Sequence, residues 1–292
     1  MDNSLWTKVS QNGVAKIPAP LPKHTWRQLY MSLSRFGEWF SEHKEYGDVF
    51  DQTAKAWQID SGLKLYFSGY FSPYYRDRTN QVGRDNKRVI QFCEPYYRYL
   101  CDQAPTLLKI PEFRSLVQGM MAALYSSYAT FLPTLRELSA IDPQLCKALM
   151  PDGTLPPVVL RLIEYQSDAY YFTNPHVDKS AVTIILDTDE PTDQSCLVFA
   201  PRENALPRLS DFSPVQKQDR DALVFFGAAP QVANHGWAIP APHAVRPLKA
   251  PFTRHVAIFF WLLPGVDLSR FDTATTYVND VGLARPSLSD AA

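Results

Sequence analysis

His176 and Asp178 are separated by a single residue. On a strand such a pair points to one face of the pleat. An imidazole and a carboxylate so placed can grip one metal ion from one side. His243, far along the chain, can bring a second imidazole. Two histidines and one carboxylate make a facial set that suits Fe(II), with three coordination positions left for a co-substrate and dioxygen. Arg254 follows eleven residues after His243. A His-x-Asp alone is most often a surface pair. The second histidine and the arginine in register raise it to a metal site.

The surrounding residues place these groups at strand ends. Asn174-Pro175 is a turn signal, and Ala181–Leu186 is a β-branched run that reads as a buried strand. His243 follows a crossing rich in proline and glycine (Asn234-His235-Gly236-Trp237, Pro240, Pro242) and precedes the apolar run Val256–Leu263. From Pro156 onward the reading is of short strands: Val158–Tyr165, Ala181–Leu186, Cys196–Ala200, Ala222–Phe226 and His255–Leu263. Strands at this spacing predict a sandwich or jelly roll.

Before residue 150 the pattern is helical. Residues 1–24 read as an extended, proline-rich lead-in. Trp26, Leu29, Tyr30, Leu33, Phe36 and Phe40 then line one helical face, with Thr25 and Gln28 as a capping box. A shorter helix is expected over Asp48–Trp57 and another over Asp85–Cys101, interrupted at Pro95. A long one starts at Pro111, a favoured first position, and carries an apolar stripe from Phe113 to Leu138 with a kink at Pro133. The expected organisation is a helical region at 1–150, a jelly-roll core at 151–266 and a tail at 267–292, all in one catalytic domain. The expected fold is mostly β, with a helical N-terminal half.

A net charge of −1 and a sequence pI near 6.6 argue against nucleic acid or an anionic membrane as partner. A small molecule is the expected partner, and the sequence carries no signal for oligomeric state. Cys93, Cys101, Cys146 and Cys196 lack framework spacing and read as reduced thiols. No basic-then-apolar leader opens the sequence, and no apolar run is long enough to span a bilayer, so a cytoplasmic, soluble protein is expected. The run Asp187-Thr188-Asp189-Glu190 reads as a solvated turn. The aromatic stretch around Tyr70, through Arg76 and Arg78, reads as a structured loop, either a solvated one with packed tyrosines or a wall over a substrate.

Several segments together resemble the isopenicillin-N-synthase-like group of Fe(II)/2-oxoglutarate dioxygenases. Arg161-Leu162-Ile163-Glu164-Tyr165 is similar to the strand leading into the first ligand, and Thr183 lies seven residues after His176 as the group's threonine does. Asp221–Gly227 resembles the glycine-bounded strand before the second histidine, and Arg254 falls where the group places its co-substrate arginine. Weaker likeness covers Gly69-Tyr70, Asp85-Asn86-Lys87 and Pro111–Leu116, so the match spans roughly residues 60–265. Three departures stand out. The second histidine is followed by Ala244 where arginine is usual, Val256 replaces the serine two residues after Arg254, and Ala228-Ala229 follow Gly227 where an acidic residue is common.

The resemblance implies a double-stranded β-helix (jelly roll) buttressed by a long helix. It implies Fe(II) on His176, Asp178 and His243, with 2-oxoglutarate as co-substrate and O2 as oxidant. It places the far carboxylate of 2-oxoglutarate on Arg254, with Tyr165 or Thr183 standing in for the missing serine. It also implies hydroxylation of a small molecule of natural-product or amino-acid metabolism. Candidate substrate contacts are Tyr70, Arg76, Arg78, Arg161, Tyr171 and Phe172. The competing readings are an iron oxidase of the same fold working without 2-oxoglutarate, by desaturation or cyclisation, and a zinc hydrolase or metal-stabilised binding protein.

Overall fold

The computed structural model describes residues 4–61, 68–71, 87–150, 158–165, 173–190, 195–200, 211–246 and 253–268. In chain order the elements are α1 (Leu5–Asn12), β1 (Ala15–Pro18), α2 (Lys23–Glu42), α3 (Gly47–Ser61), β2 (Gly69–Phe71), β3 (Lys87–Phe92), α4 (Glu94–Gln103), α5 (Pro111–Arg136), α6 (Pro143–Leu149), β4 (Val158–Tyr165), β5 (Thr173–His176), β6 (Val182–Thr188), β7 (Leu197–Phe199), β8 (Ser213–Pro214), β9 (Asp221–Phe226), α7 (Ala229–Val232), β10 (His243–Val245) and β11 (Arg254–Trp261).

The strands form two antiparallel sheets. The larger has the order β1-β9-β6-β11-β4-β3-β2 and the smaller β5-β10-β7-β8. This is the expected jelly roll, but "mostly β" understates the helices, which account for more of the described residues than strands do. One face of the large sheet packs on α2 and α5. Trp26, Leu33, Phe36, Phe113, Leu116 and Leu124 from the helices join Ile90, Leu160, Leu162 and Phe259 from the strands in one buried cluster. The other face turns toward the small sheet, where Val89, Ile163, Ile185, Leu197, Phe225 and Val256 form a second, smaller cluster. The two sheets bound the cavity that holds the candidate site.

The N-terminal half is more strand-like than its sequence suggests. Residues 1–24 are not a lead-in: α1 is capped by Ser4, whose Oγ accepts from Thr7 N at 3.3 Å, and is stopped by Gly13 at φ 79°. After it, β1 pairs with β9. Over Asp85–Cys101 the expected helix is instead β3 followed by α4. Val89 faces one cluster while Ile90 and Phe92 join the other, so a strand buried on both faces mimics helical spacing. Pro95 lies in the first turn of α4, where its missing N–H costs nothing. The Thr25 cap is also displaced, because α2 starts at Lys23 with no side-chain cap. In α5 the helix runs on past Pro133 to Arg136 before tightening into a 3-10 turn. No helix among the described residues is long and apolar enough to cross a membrane. The tail from 269 lies outside the described residues.

Candidate active site

His176 ends β5 and His243 opens β10, and the two are direct cross-strand partners. Their ring centroids lie 4.3 Å apart. Asp178, just past β5, sets one carboxylate oxygen toward each ring: Oδ1 is 3.7 Å from His176 Nε2 and Oδ2 is 3.7 Å from His243 Nε2. One ligand atom from each of the three residues lies within 4.8 Å of the others, the only such group of His, Cys, Asp or Glu among the described residues. His243 Nδ1 is 3.0 Å from the Ala241 carbonyl. A carbonyl can only accept, so Nδ1 is the donor in this contact, and Nε2 is the ring nitrogen turned toward Asp178.

The carboxylate is held from behind. Thr183 donates to Asp178 Oδ2 at 2.7 Å and shares a 2.7 Å hydrogen bond with Ser180. Burial pushes the Asp178 carboxyl up, but the charges of His243 and His176, the Thr183 hydrogen bond and the Arg161 charge together hold it below the ordinary carboxylate value.

The loop carrying Asp178 is pinned to the end of β9. Ala228 N donates to Asp178 O at 2.7 Å and Ala229 N to Ser180 O at 3.3 Å. Between these contacts, Gly227 packs so tightly that an added Cβ would lie 2.2 Å from Ser180 O and 2.7 Å from Asp178 O. Only glycine permits that approach. Ala228 and Ala229 are fully buried, which leaves no room for the acidic residue expected after Gly227.

Arg254 opens β11 opposite Tyr165 of β4. Its guanidinium lies 5.2 Å over the Tyr165 ring. Arg254 Nε donates to Glu190 Oε2 at 2.6 Å, in a pair whose side chains are 1% and 5% exposed. Glu190 Oε2 also accepts from Cys196 N at 3.1 Å. Arg254 Nη1 is buried and has no hydrogen-bond partner among the described residues. Residues at alternate positions of β11 and β4 line one cavity with the three metal-site residues: Arg254, Val256, Ile258 and Phe260 from β11, and Arg161, Ile163 and Tyr165 from β4.

The back of β11 carries a second charge cluster, which sequence reasoning missed. The run Asp187–Glu190 is no solvated turn, because Asp187 and Glu190 are buried. Tyr30 donates to Asp187 at 2.9 Å. His255 faces α2, with its ring stacked 5.0 Å from Tyr30, its Nδ1 2.5 Å from Asp189 Oδ2 and its Nε2 3.5 Å from Glu164 Oε2. Arg88 donates to Glu164 at 2.8 Å and Ser34 at 2.7 Å. Burial opposes charge on His255, but Asp189 and Glu164 outweigh it and push the imidazole up to about 9. Burial likewise opposes the Glu164 charge, yet His255, Ser34 and Arg88 hold that carboxyl down at about 2. The available signal was that an arginine deep in a buried strand needs a carboxylate nearby, and the acidic run ends the neighbouring strand.

Two expected roles are corrected. Thr183 donates to the Asp178 carboxylate and does not line the cavity, so it orients that carboxylate and does not stand in for the missing serine. Tyr70 packs against Phe36 and Phe40, at 4.7 and 4.9 Å between centroids, inside the helical core, so it does not wall the cavity. Arg76, Arg78, Tyr171 and Phe172 lie outside the described residues.

Comparison with solved structures gives matches over nearly the whole chain. Neurospora crassa T7H in complex with alpha-KG is 11% identical, with 93% of this chain and 83% of that chain covered at a TM-score of 0.62. The fold is that of the 2-oxoglutarate oxygenases. AtDAO1 from Arabidopsis thaliana, a dioxygenase for auxin oxidation solved with 2-oxoglutarate, is 15% identical over 93% and 94% of the two chains at a TM-score of 0.55. A Caulobacter crescentus protein assigned to the 2OG-Fe(II) oxygenase family is 17% identical over 93% and 86% at a TM-score of 0.58. At these identities the likeness is one of fold. Neither family models nor curated protein sequences give a match.

Proposed function

We propose that this protein is an Fe(II)- and 2-oxoglutarate-dependent dioxygenase that hydroxylates a small molecule, with the whole chain acting as one catalytic domain. The observation that carries this reading is the shared cavity. Two histidines and a carboxylate converge at one place in it, and a buried arginine with an unmatched Nη1 stands on the same wall. The residues fit the groups they would hold. Nitrogen and carboxylate donors in a facial arrangement suit Fe(II), and a buried guanidinium N–H lacking an acceptor calls for an anion.

Iron bound there with 2-oxoglutarate supplies the oxidising chemistry, with succinate and carbon dioxide as co-products. The chain's own part is positioning. His176 and His243 present Nε2, and Asp178 presents an oxygen that Thr183 keeps oriented. Arg254, steadied by Glu190 and Tyr165, receives the far carboxylate of 2-oxoglutarate through its free edge. Ile163, Ile185, Leu197, Val245 and Val256 keep water from the walls between. Small-molecule oxidation agrees with the neighbours, since T7H is also solved with thymine and AtDAO1 is named for auxin oxidation.

One observation favours a second reading. Val256 stands beside Arg254 where a hydroxyl would share the carboxylate, as suits an iron oxidase that takes its electrons from the substrate alone. Anaerobic titration of the apoprotein with Fe(II) and then 2-oxoglutarate separates the two. A weak visible charge-transfer band, diminished in Arg254→Ala, is expected. Its absence with iron bound would transfer the assignment to the oxidase. Asp178→Ala is expected to lose iron with the fold intact, and retained iron and turnover in that variant would end the metal-site reading.

A further inference from the structure

Two buried side-chain polar atoms of the ladder between β6 and β11 have no hydrogen-bond partner among the described residues: Arg254 Nη1 and Thr188 Oγ1. The other atoms in that state lie in α2, β2, α4 and α5. Buried polar groups are nearly always satisfied, so two unsatisfied ones on neighbouring strands call for an explanation.

Thr188 is the direct cross-strand partner of Val256, and opposite residues of an antiparallel pair project to one face. Val256 lines the cavity. Thr188 is not part of that wall; it is 3% exposed and stands one strand over from it. Glu190, two residues further on, belongs to the same row. It is also off the wall, yet it accepts from Arg254 Nε at 2.6 Å, so the arginine reaches across to this row. Arg254, Val256, Thr188 and Glu190 are the corners of one patch, with Thr188 diagonal to the arginine. Diagonal neighbours lie roughly 7–8 Å apart at the backbone, within reach of long side chains and close enough for one carboxylate to meet both.

The chemistry of the two atoms agrees. A guanidinium nitrogen only donates, and a hydroxyl can donate as well. Two unspent donors on one patch suit a group with two acceptor oxygens. Val256 stands where the resembled group has a serine, and Thr188 offers a hydroxyl at the same level from the partner strand. Thr183, the other threonine of β6, has its hydroxyl committed to Asp178 and Ser180.

We infer that Thr188 is a second anchor for the co-substrate: its hydroxyl donates to one oxygen of the far carboxylate of 2-oxoglutarate while Arg254 Nη1 takes the other, so the hydroxyl missing from β11 is supplied by β6. This inference rests on the iron and 2-oxoglutarate reading above.

The test is calorimetric titration of 2-oxoglutarate into protein loaded with redox-inactive Mn(II). Loss of a hydrogen bond to a charged group makes Thr188→Val bind 2-oxoglutarate roughly tenfold more weakly than the wild type, with Mn(II) affinity unchanged. Thr188→Ser, which keeps the hydroxyl, stays near the wild type. Adding Val256→Ser to Thr188→Val returns a hydroxyl to the patch from the opposite strand and recovers most of the loss, a rescue that a purely structural role for Thr188 would not allow. Because the hydroxyl has no partner within the described fold, ligand-free Thr188→Val melts at or above the wild-type temperature. Unchanged 2-oxoglutarate affinity in Thr188→Val overturns the inference alone. So does a double variant that binds no tighter than Thr188→Val, or a lowered melting temperature of the ligand-free single variant. Wild-type protein that binds Mn(II) but not 2-oxoglutarate overturns the reading of the previous section and this inference with it.

Discussion

Glu190 and Arg254 are joined by a 2.6 Å hydrogen bond from Nε to Oε2, buried almost completely from solvent. The arginine is therefore already compensated within the protein, and one edge of its guanidinium is engaged. Nη1 has no hydrogen-bond partner among the described residues. Burial would weaken the arginine's hold on its proton, but the Glu190 and Tyr165 surroundings more than reverse this. It stays a cation at every working pH.

Removing the partner should expose that dependence. Glu190→Ala leaves a buried guanidinium unpaired, a change that costs about 3–5 kcal/mol. Because the carboxylate of 2-oxoglutarate can then act as the missing counter-charge, saturating 2-oxoglutarate is expected to raise the melting temperature of the variant more than that of the wild type. Equal shifts in the two proteins would show that Glu190 does not balance the co-substrate arginine.

The Arg254 end of the cavity admits two opposite changes. Arg254→Lys removes the bidentate fork and is expected to weaken 2-oxoglutarate roughly 10–100-fold, with Fe(II) affinity unaltered. Val256→Ser adds a hydroxyl on the strand face that Arg254 shares and is expected to tighten 2-oxoglutarate by about tenfold. Dissociation constants measured anaerobically for both variants check the pair. Unchanged dissociation constants in both variants would place the far carboxylate elsewhere.

Metal affinity should depend on residues that never touch the ion. Thr183→Val removes the 2.7 Å hydrogen bond to Asp178 and is expected to cost roughly 10–100-fold in Fe(II) or Mn(II) affinity. Gly227→Ala forces a Cβ against the carbonyls of Ser180 and Asp178 and is expected to displace the ligand loop, weakening metal and lowering the melting temperature together. A Thr183→Val protein with wild-type affinity would mean that Asp178 needs no such support.

The cluster behind β11 makes stability pH-dependent in a stated direction. His255 is raised from 6.5 to about 9, so its contribution is complete below 6.5 and is lost as pH climbs through 9. One pKa unit corresponds to about 1.4 kcal/mol, which puts a ceiling of about 3 kcal/mol on this step. Glu164 is lowered from 4.5 to about 2, so its contribution is present above 4.5 and disappears as pH falls through 2. Denaturant unfolding across this range is expected to show both limbs, and His255→Gln should flatten the alkaline one. An unchanged alkaline limb in that variant would assign the loss to another group.

The convergence of His176, Asp178 and His243 was legible because it depends on types and spacing that survive as plain text: His-x-Asp at a strand end, then a histidine and an arginine before an apolar run. In the second half β4, β6, β7, β9 and β11 were legible, since each is a β-branched or aromatic run between turns, whereas the short β5, β8 and β10 were not. What failed was local reading wherever tertiary context decided. β3 is buried on both faces and so lacks alternation, and its Val89, Ile90 and Phe92 merge with the apolar positions of α4 into a false helical stripe. The acidic run looked like a turn because nothing local announces that Arg254 and His255, more than sixty residues on, supply its counter-charges. Tyr70 looked like a site residue because aromatic side chains in a core and over a ligand are spelled alike.

The pairing of β1 with β9, Ala15 opposite Val224, sets an order on biosynthesis. When the ribosome has released α1 and β1, the strand that must receive them has not been made. The first segment waits while the helices, β3 and β4 emerge, and the large sheet closes at that side only when Asp221–Phe226 leaves the exit tunnel. Contacts this distant along a chain are slow to form, and an unpaired strand in the interval is open to association with other chains. A nascent chain stalled before residue 221 therefore lacks the strand that β1 pairs with and leaves that sheet edge open.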